Sequence, residues 1–155
     1  MTQTRPAAHK TTVQTGLTAG VRIMTLEGPV GIEDLQTGDR IVTRQGLRVL
    51  RAVRVQEREA AKLVTINASV LGHDRPEAPI TVAADQPILL RDWRAKALYG
   101  QKTAMVAAHR LVDGDYITAT TVSDLRTFVL VFDTPQIIYA EGTEFPMGTT
   151  ADEAA

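Results

Sequence analysis

The side chains best suited to chemistry are the ones this sequence does without. It contains no cysteine, which excludes a thiol nucleophile, a disulfide framework and thiolate zinc or iron–sulfur sites. Its three histidines, His9, His73 and His109, are scattered, and none stands in the His-x-x-x-His spacing that turns two imidazoles toward one metal. They read as solvated surface groups, and neither a metal nor a cofactor is expected. Two stretches carry recognition chemistry instead. Residues 48–58 hold Arg48, Arg51, Arg54 and Arg58. On a strand, Arg51 would share a face with Val49, Val53 and Val55 while Arg54 would fall on the other, so no single basic stripe forms. Arg91-Asp92-Trp93-Arg94 sets the sole tryptophan among arginines. Trp93 and Arg94 suit a protein interface, where both residue types are enriched; Trp93 equally suits an anchor pinning a short helix to a β core.

These groups sit in a chain of 155 residues, 44% hydrophobic and 23% charged, a composition typical of soluble globular proteins. A chain of this length buries roughly 70% of its unfolded surface and needs no covalent staple. The 17 Lys+Arg and 18 Asp+Glu give a net charge of -1, too balanced for a protein that neutralises nucleic-acid phosphates. No run nears the roughly 18 apolar residues of a membrane span, and the N-terminus lacks the apolar core of a signal peptide. The expectation is a cytoplasmic protein that binds neither nucleic acid nor membrane.

Short runs rich in Val, Ile, Leu and Thr recur at 21–26, 40–43, 47–55, 63–71, 80–83, 88–90, 116–121, 127–132 and 137–139, the pattern of an all-β domain. Turn signals separate them: Glu27-Gly28-Pro29, Thr37-Gly38-Asp39, Gln45-Gly46, Asp113-Gly114-Asp115 and a longer loop at 72–79. Only Trp93–Tyr99 reads as helix, and a short one. The first 14 residues are polar and Thr-rich, and the stretch from 143 ends in small and acidic residues, so both read as poorly packed tails. One internal repeat is visible. Val30, Leu35, Gly38, Asp39 and Ile41 match Val106, Leu111, Gly114, Asp115 and Ile117 at one constant offset. The repeat predicts two related β units meeting at a cleft, unless Leu-x-x-Gly-Asp-x-Ile is merely a common turn-into-strand phrase.

The same residues carry a family resemblance. The run TGLTAGVRIMTLEGPVGIEDLQTGDRIVTRQG resembles the opening of a Hint (hedgehog/intein) domain in its bacterial form. ITVAADQPILLRDWRAKALYGQKTAMVAAHRLVDGDYI resembles the segment holding that family's histidine, and FDTPQIIYAEGTEFP its C-terminal strand pair. The resemblance implies a compact, disc-like, pseudo-two-fold β domain over 15–147, flanked by tails at 1–14 and 148–155.

Active members of that family process themselves. A Cys or Ser at the domain's first position attacks the preceding carbonyl, and a histidine donates a proton to the leaving amide nitrogen. The resemblance places Gly16 at the nucleophile position. Ala83 and Gln86 fall at the Thr and His of a Thr-x-x-His motif, and Pro135 at a further histidine. Gln can hydrogen-bond but cannot shuttle a proton. Splicing also needs a terminal Asn, and the only one in the chain is Asn67. The resemblance therefore implies a catalytically inactive domain kept as a protein-binding or structural module. One alternative is residual self-cleavage by Thr15 or Thr18 with Asp85 or Asp133 as polar partner, releasing at most the segment before Gly16. Asp85 either lines the former cleft or opens the turn before Pro87. The other alternative is a structural subunit of a larger assembly.

Overall fold

The computed structural model describes residues 14–148; residues 1–13, with His9, and 149–155 lie outside the described residues. Twelve strands follow in chain order: β1 Leu17–Thr18, β2 Arg22–Thr25, β3 Gly28–Gly31, β4 Arg40–Thr43, β5 Gly46–Val49, β6 Ala52–Ile66, β7 Ile80–Ala83, β8 Pro87–Leu90, β9 Ala104–Ala107, β10 Ile117–Val131, β11 Gln136–Ala140 and β12 Thr143–Met147. Among the described residues one α-helix, α1, spans Trp93–Tyr99, as read from the sequence. Asp92 caps it through its side chain, and Gly100 closes it in the left-handed region at φ 70°.

The strands form two layers. β1, β10, β6 and β7 close into a small barrel, and the others build an eight-stranded sheet ordered β3-β2-β4-β11-β12-β8-β9, with β5 on β4. Alternation explains the second layer. In β2 and β4, Ile23, Thr25, Ile41 and Thr43 face inward while Arg22, Met24 and Arg40 face out. The inward residues meet Ile138, Phe145, Ile88 and Leu90 in one core that continues into the barrel through Leu17, Val64, Ile66, Val82 and Leu130.

The tight hairpins repeat a device. Thr25 donates its hydroxyl to the Gly28 carbonyl and accepts the Glu27 N–H; Thr43 does the same with Gly46 and Gln45. The repeat read from the sequence also has matching local structure. In one copy β3 leads through a 3₁₀ turn at Ile32–Asp34 into β4; in the other β9 leads through Ala108–Leu111 into β10. Leu35 and Leu111, and Ile41 and Ile117, are buried in both.

Several expected boundaries are corrected. The run 47–55 is two strands, because the chain changes layers at Leu50–Arg51: Leu50 still bonds Asp39, whereas the Arg51 N–H donates to the Val131 carbonyl. The runs 116–121 and 127–132 are one strand, β10, paired with β6 from Ile117↔Ile66 to Val131↔Ala52. Beyond Ile66 the run 63–71 is loop, and Leu71 is buried because that loop folds back on the core. Residues 143–147 are strand β12 rather than tail, paired with both β11 and β8. No helix among the described residues is long and apolar enough to cross a membrane.

Candidate functional site

The Thr15–Gly16 peptide lies where the chain enters the barrel. Leu17 follows it, fully buried, and pairs with Phe128 on β10 and Val82 on β7. The backbone there demands glycine. Gly16 has φ +110°, and a Cβ on it would stand 3.0 Å from both the Phe128 carbonyl oxygen and Thr127 Cβ. Every polar end of the junction is held. The Thr127 hydroxyl, inward on β10, donates to the Thr15 carbonyl at 3.0 Å. The Gly16 N–H donates to Gln86 Oε1 at 2.8 Å, and the Gly16 carbonyl accepts the Ala83 N–H at 3.0 Å.

Gln86 sits in the tight connection between β7 and β8 and is only 1% exposed. Its Nε2 donates to the carbonyls of Pro87 at 3.0 Å and Pro146 at 3.2 Å. One N–H donor and two carbonyls around a single amide permit one orientation, with the oxygen toward Gly16. A second layer ties down the residue before the junction. The Gln14 N–H donates to Asp85 Oδ2 at 2.7 Å, the Asp85 N–H returns to the Gln14 carbonyl at 2.8 Å, and Gln14 Oε1 accepts the Lys62 N–H. Asp85 thus lies in the turn before Pro87 and exchanges hydrogen bonds with the Gln14 backbone.

This arrangement determines what chemistry is open to it. Gly16 offers no side-chain nucleophile. The Gly16 nitrogen faces a hydrogen-bond acceptor, Gln86 Oε1, rather than a donor. The Thr18 hydroxyl donates to the Thr81 carbonyl at 2.8 Å, and the Thr15 carbonyl accepts the Thr127 hydroxyl.

Two other expectations are corrected. Asp133 is no cleft residue: Arg51 takes its carboxylate in a two-pronged pair, 2.9 Å at each contact, and those bonds hold the Asp133 carboxyl below the usual carboxylate range. Pro135 lies in the turn leading into β11, beside Gly148. Trp93 does not anchor α1 either. It is 65% exposed, with the Arg94 guanidinium 4.7 Å above its ring, and Ala95 is the residue that seats the helix. His73 is exposed beside Asp74 as expected, whereas His109, though exposed, is brought to the site, its Nε2 3.5 Å from Asp85 Oδ1. No group of three or more metal-ligating side chains occurs among the described residues. Sequence reasoning missed Thr127 and Gln14, which no motif marks.

A second polar centre, equally missed, lies on the outer face of the larger sheet. Glu144, 3% exposed on β12, receives both prongs of Arg91 at 2.5 and 3.1 Å. Arg44 Nε stands 3.5 Å from it and Arg75 Nη1 3.7 Å. That pairing raises the Arg91 guanidinium above its ordinary value.

A family model described as the Hint domain matches residues 15–146. No curated protein matches the chain. Among solved structures, the bacterial intein-like domain from Clostridium thermocellum is 15% identical and superposes with a TM-score of 0.56, covering 86% of this chain and 98% of its own. The DnaB intein from Synechocystis sp. PCC 6803 is 14% identical with a TM-score of 0.55, covering 87% of this chain and 99% of its own. At these identities the likeness is one of fold.

Proposed function

The chain belongs to the Hint domain family, and we propose that it keeps the fold without the self-processing reaction: the Thr15–Gly16 bond stays intact and the domain serves as a protein-binding module. The observation that carries this reading is the bond from the Gly16 N–H to Gln86 Oε1. Peptide cleavage at this nitrogen needs a proton donor, and the Gln86 amide, fixed by two carbonyls on its other side, presents only an acceptor. The missing side chain at Gly16 removes the attacking group as well.

Binding through the former cleft is not part of this reading, because the chain's own backbone and the Gln86 amide fill the junction. Exposed surface elsewhere supports it better. β5 is an edge strand exposed along its whole length, with Leu47 and Val49 in water. Trp93 is unburied next to Arg94.

One observation favours the competing reading of residual cleavage. The Thr127 hydroxyl on the Thr15 carbonyl is placed as a donor that would stabilise negative charge developing on that oxygen. Intact mass spectrometry of the purified full chain, followed over days with and without hydroxylamine to intercept an ester, separates the two. An unchanged mass under both conditions is expected. A product cut between Thr15 and Gly16, formed faster with hydroxylamine, would overturn the inert reading.

A further inference from the structure

Several arginines on the larger sheet and its margins are matched one to one with a carboxylate, whereas Glu144 is not. Arg22 is matched by Glu141 at 3.2 Å, Arg94 by Asp92, and Arg51 by Asp133. At Glu144 a single carboxylate gathers three guanidinium groups. They come from three separate places: Arg44 from the β4–β5 turn, Arg75 from the 72–79 loop and Arg91 from the end of β8. Neutralising the buried charge takes one arginine, and Arg91 alone satisfies both carboxylate oxygens. Arg44 and Arg75 lie beyond good hydrogen-bonding distance of it, attracted but not bonded. Their side chains are about two-fifths exposed, so three positive charges against one carboxylate leave two in excess at a point that solvent reaches.

The neighbouring surface indicates what those arginines would meet. Tyr139 is paired directly opposite Glu144 across β11 and β12. It also forms one wall of an adjoining groove of about 280 Å³, with Met24, Pro29 and Val42 as apolar walls and Glu77 and the Arg22–Glu141 pair in its lining. This volume falls just under the roughly 300–1,000 Å³ of small-molecule sites and suits one large side chain. Two acids against one arginine in that lining make a continuous polyanion such as nucleic acid a poorer fit than a short segment that sets carboxylates on the arginines and an apolar side chain in the groove.

We propose that the outer face of the larger sheet is a docking site for an acidic peptide segment of a partner protein. The segment's carboxylates lie on Arg44, Arg75 and the free edge of Arg91, and a neighbouring apolar side chain enters the groove against Tyr139. Glu144 acts as the buried organiser, drawing three arginines from three elements to one point before any partner arrives. The proposal extends the binding-module reading and fails separately from it: the uncut mass reports on the Thr15–Gly16 junction, and peptide binding reports on the arginines.

The test is fluorescence anisotropy at low ionic strength, with the full chain titrated into a rhodamine-labelled peptide of glutamates around one central phenylalanine. Saturable binding is expected, and the double variant Arg44→Gln/Arg75→Gln should weaken it about tenfold or more. That variant keeps the Arg91–Glu144 fork and with it the fold. The double variant Lys102→Gln/Arg110→Gln removes the same charge from exposed sites elsewhere and should bind as the parent does. Four results overturn the proposal: no saturable binding, equal binding of the all-glutamine peptide, equal weakening in the control variant, or equally tight binding of a single-stranded oligonucleotide. Replacing the phenylalanine with serine should weaken binding. If it does not, and inorganic phosphate displaces the peptide, the site is one for small anions and the peptide assignment falls.

Discussion

At the entrance to the barrel Gln86 meets one N–H donor and two carbonyls, and at the outer sheet Glu144 meets three guanidinium groups; both are polar side chains with almost no exposure. The surroundings of Gln86 balance. Each amide atom has the partner type it needs, all partners are neutral, and the network closes on itself around Gly16. The surroundings of Glu144 do not balance, since one fork would satisfy it and two more approach. A saturated network has nothing left to offer a substrate or partner, whereas an oversupplied one has directed donors to spare. The family's reaction would take place at the first site; on the proposed reading that site has become structural and recognition falls to the second.

The contrast breaks most readily at Arg91. Replacing it with methionine keeps the aliphatic stem but leaves the Glu144 carboxylate buried with only the two distant arginines. The expected loss in a urea titration is about 3 kcal/mol, the low end for stripping a buried ion of its partner, because Arg44 and Arg75 remain near. A loss well under about 1 kcal/mol would mean that Glu144 is served by water and organises nothing. The corresponding change at the balanced site is Gln86→Leu. It orphans the Gly16 N–H and removes the donor from the Pro87 and Pro146 carbonyls, for an expected loss of about 2 kcal/mol with no gain of cleavage in the mass spectrum. A neutral outcome would show that the Gln86 amide is not what closes the junction.

How far these sites were legible in the sequence follows from what fixes each residue. β7 and α1 were legible because local pattern decides them: Ile80–Ala83 is apolar and β-branched, and Trp93–Tyr99 holds unbranched residues between a capping Asp92 and Gly100. The outer half of the β6–β10 ribbon was not. Residues such as Gln56–Lys62 are largely exposed, so no alternation marks them, and only pairing with β10 holds them extended. β3 was hidden by its own Gly28 and Pro29, which read as turn signals although the hairpin places them in the strand. Gly16 and Gln86 were located through the resemblance alone, since a lone Gly and a lone Gln mark nothing. Thr127 and the arginines around Glu144 stayed out of reach because their roles depend on which strands become neighbours, and that is set by the closure of two layers rather than by any local phrase.

The smallest effect uses a third carboxylate as a reference. Arg51 grips Asp133 with the same two-pronged geometry that Arg91 applies to Glu144, but Asp133 is 73% exposed. The hydrogen bonds and charge of Arg51 lower the Asp133 carboxyl in the folded protein. The sign follows from linkage: the carboxylate's contribution is fully present above the unfolded value of about 3.9 and is lost as pH falls through the lower folded value. The difference in urea midpoint between the parent and Asp133→Asn should therefore be constant from about pH 7 to about pH 5 and shrink only below about pH 4. It should also be much smaller than the effect of Arg91→Met and fade in high salt, since exposed pairs are screened where buried ones are not. If Asp133→Asn instead matched Arg91→Met in size, fork geometry rather than burial would set the strength of these pairs. The distinction drawn at Glu144 would then rest on its excess of arginines alone.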